Sequence, residues 1–474
     1  MGIDFSSFYI YKYRYYIGYG LVGVLLISLL LFVGLYSPGG LSQSEMNSTV
    51  DSAGITIKDM SSFAIPNLPY MLLQKFSIDI FGVSILSIKL PSLILGFLSA
   101  VSLITLLRYW FKPNVAVLAS IIAIATGQYL FIAQDGTPSV LYILWAIWLI
   151  LLATLIAKNI GPRMLWKILF FIVGALSLYT PLSVYAMIAI GIAIIMHPHL
   201  RYLVRQLSRP KLIIAGLIGI FFVLPLVIGI INTPELGLTL LGIPKAFPDL
   251  YANLIILSRQ YFGFYLPSSS AILTPVFGLG TMLIIGFGAY RLFKTHSSTQ
   301  SYLVMIWILC LIPILLINPN FTSITFVPFV LLLATGIDSL LRYWYRLFPR
   351  NPYPRIAGLV PIVILVGALV ISGISRYAYD YAYDPSTVNN FSKDLALMPK
   401  DTHVLVVAES QLPFYEVVAK HTSNMSVSTV ASGNVFTATQ KAKSDYSGYH
   451  VINITSSQLK DNADRFYVYK KNEG

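Results

Sequence analysis

The amino-acid sequence predicts an all-α polytopic membrane protein with a small α/β domain at its C-terminal end. Three observations predict it. Of 474 residues, 56% are hydrophobic and only 11% charged, with mean hydropathy +0.74, whereas soluble domains carry about a quarter charged residues. Apolar runs of about 20 residues recur along the chain, long enough to cross a bilayer as helices. Beyond Pro385 the pattern turns polar, with short strand-like segments.

The runs fall at 17–36, 86–107, 114–133, 138–157, 168–196, 211–231, 271–290, 301–317, 321–341 and 356–375. Loop charge sets their orientation. Lys12 and Arg14 precede the first run; Arg108 and Lys112 share a loop, as do Lys158, Arg163 and Lys167. Arg201, Arg205, Arg209 and Lys211 follow, then Arg291 and Lys294, then Arg342, Arg346, Arg350 and Arg355. Lys and Arg accumulate in cytoplasmic loops, so this face is expected to be cytoplasmic. The net charge of +13 then needs no nucleic-acid partner. The run 168–196 has basic residues at both ends and must go out and return, with Pro181 in SLYTPLS as the break. Counted this way the chain has about eleven spans, a cytoplasmic N-terminus and an outside C-terminus, in the cytoplasmic membrane. SPGG after the first run offers no cleavage site, so that run reads as an uncleaved anchor. The single cysteine, Cys310, lies in an apolar run and supports no disulfide framework.

Two units are expected. Residues 1–376 form the membrane domain, with outside loops 37–81 and 232–270. Residues 385–474 form an extracytoplasmic α/β domain with strands at His403–Ala408, Tyr449–Thr455 and Phe466–Lys470 and a helix at Leu412–His421. It has no glycine-rich nucleotide loop, so a binding or stabilising role is expected.

The candidate chemistry lies on the outer rim. Glu45, in the first outside loop, can act as a general base that deprotonates a hydroxyl. Ser42-x-x-Glu45 is also a capping box, and capping would hold the carboxylate rigid at a helix start. Asp51 lies on the same stretch. Asp135, beside Gln134 in AQDGTPS, is either an ordinary turn residue or a functional surface acid. Lys89, in SIKLPS at an outer helix end, either snorkels to headgroups or binds a lipid-linked phosphate. Arg259 invites the same two readings; it lies in Ala252–Leu266, expected as an interfacial helix anchored by aromatics such as Tyr261. No ionisable residue sits at mid-span and no P-loop is present, which argues against ion-coupled carriers and ATP-driven pumps. The histidines lack metal-ligand spacing.

The segments PNLPYMLLQKFSIDIFG (Pro66–Gly82), IKLPSLILGFLSA (Ile88–Ala100) and GQYLFIAQDGTPSVLY (Gly127–Tyr142) resemble one family. It is the protein-mannosyltransferase and aminoarabinose-transferase branch of the GT-C glycosyltransferases, glycosyltransferase family 39 and relatives. The resemblance is good over residues 17–160 and extends to layout beyond. It implies a GT-C-like fold and transfer of a sugar from a polyprenyl-phosphate donor to a hydroxyl of a protein, lipid or glycan at the outer face. By position, Glu45 matches the first-loop catalytic acid, Lys89 the basic residue of an "RLPS" motif, and Gln134 and Asp135 a second acidic motif. Glu45 and Asp135 would be catalytic. Lys89, Gln134, Arg259, Asp51 and Tyr261 would bind substrate, with Lys89 and Arg259 on the leaving phosphate. Glu45 stands where the family usually has Asp, and Gly136-Thr137 where it has Ala-Arg. No cofactor is assigned with certainty, a divalent cation stays open, and membrane lipids are expected partners. The alternatives are a lipid or glycan carrier without chemistry, or a GT-C-like scaffold that has lost activity.

Overall fold

The computed structural model describes residues 9–35, 40–56, 63–264, 276–295, 298–347, 357, 359–383, 394–422, 424–456 and 465–472. Helices dominate, in the order α1 (Tyr9–Leu35), α2 (Gln43–Gly54), α3 (Leu68–Phe81), α4 (Ile85–Trp110), α5 (Pro113–Ile124), α6 (Gly127–Gln134), α7 (Val140–Ala157), α8 (Arg163–Ser177), α9 (Val184–Met196) and α10 (Pro198–Arg205). Then come α11 (Arg209–Asn232), α12 (Pro234–Leu241), α13 (Leu250–Phe262), α14 (Leu279–Lys294), α15 (Thr299–Ile317), α16 (Phe326–Leu347) and α17 (Leu359–Tyr383). The C-terminal part holds β1 (Val404–Val406), α18 (Leu412–Lys420), β2 (Ser426–Ser428), β3 (Val435–Thr439), β4 (Tyr449–Thr455) and β5 (Phe466–Lys471).

Among the described residues six helices are long and apolar enough to cross a bilayer: α4, α7, α11, α15, α16 and α17. The total is eight if the bent pairs α5–α6 and α9–α10 each count as one. The protein is therefore polytopic. Of the other expected crossings, α8 has 15 residues and α14 has 16, short of a straight span.

The run 168–196 is broken where the sequence expects it, α8 ending at Ser177 and α9 starting at Val184. Leu182 holds the turn at φ 63°, a left-handed conformation costly for leucine. Its N–H donates to the Leu240 carbonyl (2.8 Å), while Thr180 accepts from the Trp145 indole (2.9 Å).

The run 114–133 is not one straight helix. It bends by 62° between α5 and α6, because Thr126 starts a new helix by accepting from the Tyr129 N–H (3.4 Å). Gly373 of α17 lies against this break; a Cβ there would fall on the Ala125 carbonyl oxygen. Helical spacing puts Tyr377 on the same face of α17, one turn further on.

Helices α14 and α16 approach closer still. A Cβ on Gly288 would strike the Leu332 carbonyl, and one on Gly336 the Ile284 carbonyl. Backbone meets backbone at both points, so neither neighbour can give way, as at small-residue crossings of membrane helices. Gly288→Ala is expected to lower stability by about 1–3 kcal/mol or more, measured by thermal unfolding of detergent-purified protein. An unchanged midpoint would mean that the two helices do not cross here.

The C-terminal sheet has the order β2-β1-β3-β5-β4, with β1 parallel to β2 and β3, and β5 antiparallel to β3 and β4. Strands β1, β4 and β5 and helix α18 fall where the sequence places them. β3 was missed because Phe436, Thr437, Ala438 and Thr439 are all buried, which removes the period-2 alternation that marks a half-buried strand. Phe436 stacks on Tyr469 (centroids 5.0 Å apart), with Tyr446 and Tyr449 edge-on. On the other side of the sheet Leu405, Phe414, Tyr415, Val418 and Phe466 share one apolar cluster with Leu41, Met46 and Ile88. The sheet is thereby docked on α2 and on the start of α4.

Candidate active site

Four local features build the site. The first is the predicted capping box: the Glu45 N–H donates to the Ser42 hydroxyl (3.2 Å) and the Ser42 N–H donates to Glu45 Oε2 (2.7 Å). This folds the carboxylate back over the start of α2. Its other oxygen, Oε1, accepts from the Gly136 N–H (2.7 Å) and lies 3.4 Å from Lys89 Nζ.

The second is the proline of IKLPS. Pro91 inside α4 cannot donate to the carbonyl of Ser87, four residues back. The Ser77 hydroxyl fills the vacancy, donating to that carbonyl (2.7 Å). One turn further Ser92 bonds Tyr70 OH (2.8 Å) and donates to the Thr137 carbonyl (3.3 Å). This motif ties α3, α4 and the α6–α7 turn together around Lys89.

Lys89 itself is fully buried. It does not snorkel: Nζ turns inward and donates to Gln134 Oε1 (2.7 Å) while facing Glu45. Gln134 Nε2 is buried with no partner among the described residues, a donor left over beside the ammonium.

The fourth is the turn after α6. Asp135 is 6% exposed, against 0% for Glu45, Lys89 and Gln134. Thr137 donates to Asp135 Oδ2 and shares a hydrogen bond with Ser139 (2.8 Å). Burial, and after it the charge of Glu45, push the Asp135 carboxyl up to about 7, while Thr137 and Lys89 pull it down. Two carboxylates thus face one ammonium.

Two participants were not read from the sequence. Gln74, fully buried on α3, accepts from Ser48 (2.8 Å) and donates to the carbonyls of Gly136 (2.9 Å) and Ile88 (3.2 Å). It holds α2, α4 and the Asp135 turn in register; its signal was an amide within a mostly apolar helix. Tyr377, also buried, lies within electrostatic range of both Glu45 and Asp135. Only the Gly373 crossing brings it there.

Glu45, Lys89, Gln134 and Asp135, drawn from three separate stretches, are therefore brought together. The other sequence candidates are not in this cluster. Asp51 is exposed on α2 and Arg259 exposed near the end of α13. Tyr261 is buried, bonded to Thr325 (2.7 Å) and packed on Phe329. The helix expected over Ala252–Leu266 is α13, Leu250–Phe262, and residues 265–266 lie outside the described residues.

Among the described residues no three His, Cys, Asp or Glu side chains converge as a metal site. At Glu45 the Lys89 ammonium lies 3.4 Å from the carboxylate.

Bundled spans around a buried acid–lysine cluster, with a docked C-terminal sheet, define a polytopic membrane protein of the GT-C glycosyltransferase fold. Residues 67–228 match the family described as dolichyl-phosphate-mannose-protein mannosyltransferase. The fold is similar to ArnT from Cupriavidus metallidurans in its crystal structure bound to undecaprenyl phosphate. There the TM-score is 0.56 at 10% identity, over 96% of this chain and 98% of that one. For the apo state of the same protein the TM-score is 0.52 at 11% identity, over 95% and 98%. A weaker likeness, at TM-score 0.47 and 14% identity over 84% of this chain and 61% of that one, is to the Archaeoglobus fulgidus oligosaccharyltransferase complex with Zn and sulfate. No curated protein matches in sequence. The resemblance read from Pro66–Gly82, Ile88–Ala100 and Gly127–Tyr142 is borne out, since the family match runs through all three segments.

Proposed function

We propose that the chain is an integral membrane glycosyltransferase that moves a sugar from a polyprenyl-phosphate donor to a hydroxyl of a protein, lipid or glycan at the outer face of the membrane. The observation that carries this reading is the Glu45–Lys89–Gln134 chain set beside Asp135, the one member of the cluster with residual exposure. A structural neighbour bound to undecaprenyl phosphate supports a lipid-phosphate donor.

The roles follow from which atoms are committed. Both Glu45 oxygens are engaged, by Ser42 N–H, Gly136 N–H and Lys89, so Glu45 is assigned the positioning of Lys89 rather than the base role expected from sequence. Asp135 takes the proton of the acceptor hydroxyl. The acceptor oxygen bonds to the sugar C1 as the C1–O bond to phosphate breaks, and the bond's electrons leave with the lipid phosphate. The Lys89 ammonium and the spare Gln134 N–H stabilise that phosphate.

A pH profile of transfer from radiolabelled polyprenyl-phosphate sugars in membranes tests this. Asp135 titrates near 7, and the reaction uses its ionised form, so transfer should rise as pH increases through about 7. Asp135→Asn should lower transfer by about 10²–10⁴-fold and remove the acid limb. Glu45→Gln removes a charge that raises the Asp135 pKa, so its residual activity should keep the limb, moved to lower pH. A limb that survives in Asp135→Asn and vanishes in Glu45→Gln would return the base role to Glu45. No transfer by the unaltered protein from several donors would favour the carrier or the inactive scaffold. The same shift has a stability consequence. The folded carboxyl titrates above its unfolded value of 3.8, so ionising it weakens the fold as pH rises from 3.8 through about 7.

A further inference from the structure

A cavity of about 500 Å³ opens where α4 meets α5, α14 meets α15, and α16 ends. Trp110 of α4, on its wall, is 21 residues beyond Lys89, about 30 Å along a helix axis, so the cavity lies at the opposite end of the bundle from the Glu45 cluster. This is the face that the Lys and Arg bias marks as cytoplasmic.

Its lining is rich in cations. Among the described residues Lys112, Arg291 and Arg342 face it with a single acid, Asp338. Asp338 is committed to Arg342, whose Nε lies 2.7 Å from its Oδ2. Among the described residues Arg291, partly buried, and Lys112 have no carboxylate within ion-pair distance. A partly desolvated guanidinium without a counterion calls for an anion.

The remaining wall is of two kinds. Hydroxyls of Thr295 and Ser301, bonded to each other (3.1 Å), lie beside the cations. Trp110, Val304 and Leu331 add apolar wall. The volume is in the range of small-molecule sites rather than of a lone ion. A lining that combines cationic and apolar side chains at helix ends suits one chemistry, a phosphate group carried on an apolar tail.

We propose that this cavity binds the phosphate headgroup of an anionic lipid, at a site separate from the sugar-transfer cluster. Arg291 and Lys112 hold the phosphate, and the apolar wall takes the start of the acyl chains.

The experiment is native mass spectrometry of the detergent-purified full chain, titrated with phosphatidylglycerol, phosphatidylcholine or inorganic phosphate. Phosphatidylglycerol should leave a retained adduct that phosphatidylcholine does not. Each of Arg291→Gln and Lys112→Gln should weaken it by about tenfold or more, the worth of one charge-assisted contact. Arg346→Gln, a basic change outside the cavity lining, controls for general surface charge and should leave the adduct unaltered. Sugar transfer should persist in all three variants, which separates this proposal from the reading of the Glu45 site. Equal retention of both lipids, or equal losses in the cavity variants and Arg346→Gln, would overturn the proposal. Inorganic phosphate that displaces the lipid adduct at equal concentration would assign the site to a soluble phosphate and overturn the lipid assignment.

Discussion

Replacing Lys89 by methionine is expected to abolish detectable sugar transfer and to destabilise the fold by about 3–5 kcal/mol. Lys89 and Glu45 are both fully enclosed, so removing the ammonium strands a carboxylate with two backbone N–H donors and no positive charge beside it. Methionine fills most of the volume, which confines the loss to electrostatics rather than to a cavity. Transfer suffers separately. One donor aimed at a developing oxyanion is worth about 10²–10³ in rate, and here the donor also holds Gln134. The two effects come apart in the double variant Glu45→Gln with Lys89→Met. Removing the stranded carboxylate should restore much of the thermal unfolding midpoint while transfer stays lost. If the single variant unfolds at the original temperature, the pair is not buried as described; if the double variant transfers sugar, Lys89 does not serve the leaving phosphate.

The second large effect is expected at Gly136. A Cβ there would lie 2.9 Å from Ile88 Cγ2 and 3.2 Å from Glu45 Oε1, inside the contact distance of both. Gly136→Ala should push the turn away from α4 and lengthen the bond from its N–H to Glu45 (2.7 Å). About 1–3 kcal/mol of overpacking follows, and a shift of the order of 1 Å at Asp135 should slow transfer by about 10²-fold. The geometry also gives a reason for two departures from the resembled family. Glu45 is one methylene longer than the usual Asp, and its Oε1 lies 3.2 Å from where a Cβ at position 136 would sit, next to the tighter contact with Ile88. Glu45→Asp combined with Gly136→Ala should therefore recover part of the stability and transfer lost by Gly136→Ala alone. Losses that simply add would show that the two positions do not share that space.

Much of the site was legible one residue at a time. Glu45 stood out as an acid in a polar stretch after an apolar run, Lys89 as a cation at the wrong end of a helix, and Asp135 as an acid in a turn between two runs. Their grouping was not legible, because it depends on contacts across 45 and 91 positions of sequence. Gln74 and Tyr377 carried too little local signal to be singled out. Arg259 and Tyr261 were candidates because charge and aromatics cluster there; the fold places them outside the Glu45 cluster, with Tyr261 on Thr325 and Phe329.

Composition and periodicity by themselves determined that the chain lives in a membrane, where the 168–196 run breaks, and that a polar strand-bearing segment ends it. These are properties of local apolar area and backbone hydrogen bonding, which any stretch of chain must satisfy before it meets another. Tertiary structure alone decided that the run 114–133 bends, that Lys89 points inward, and that the C-terminal sheet settles on the helix carrying Glu45. Each of these is a choice between partners. A lysine snorkels unless a carboxylate and an amide wait for it inside, and here Glu45 and Gln134 are held in place by Ser42, Gly136 and the turn after α6.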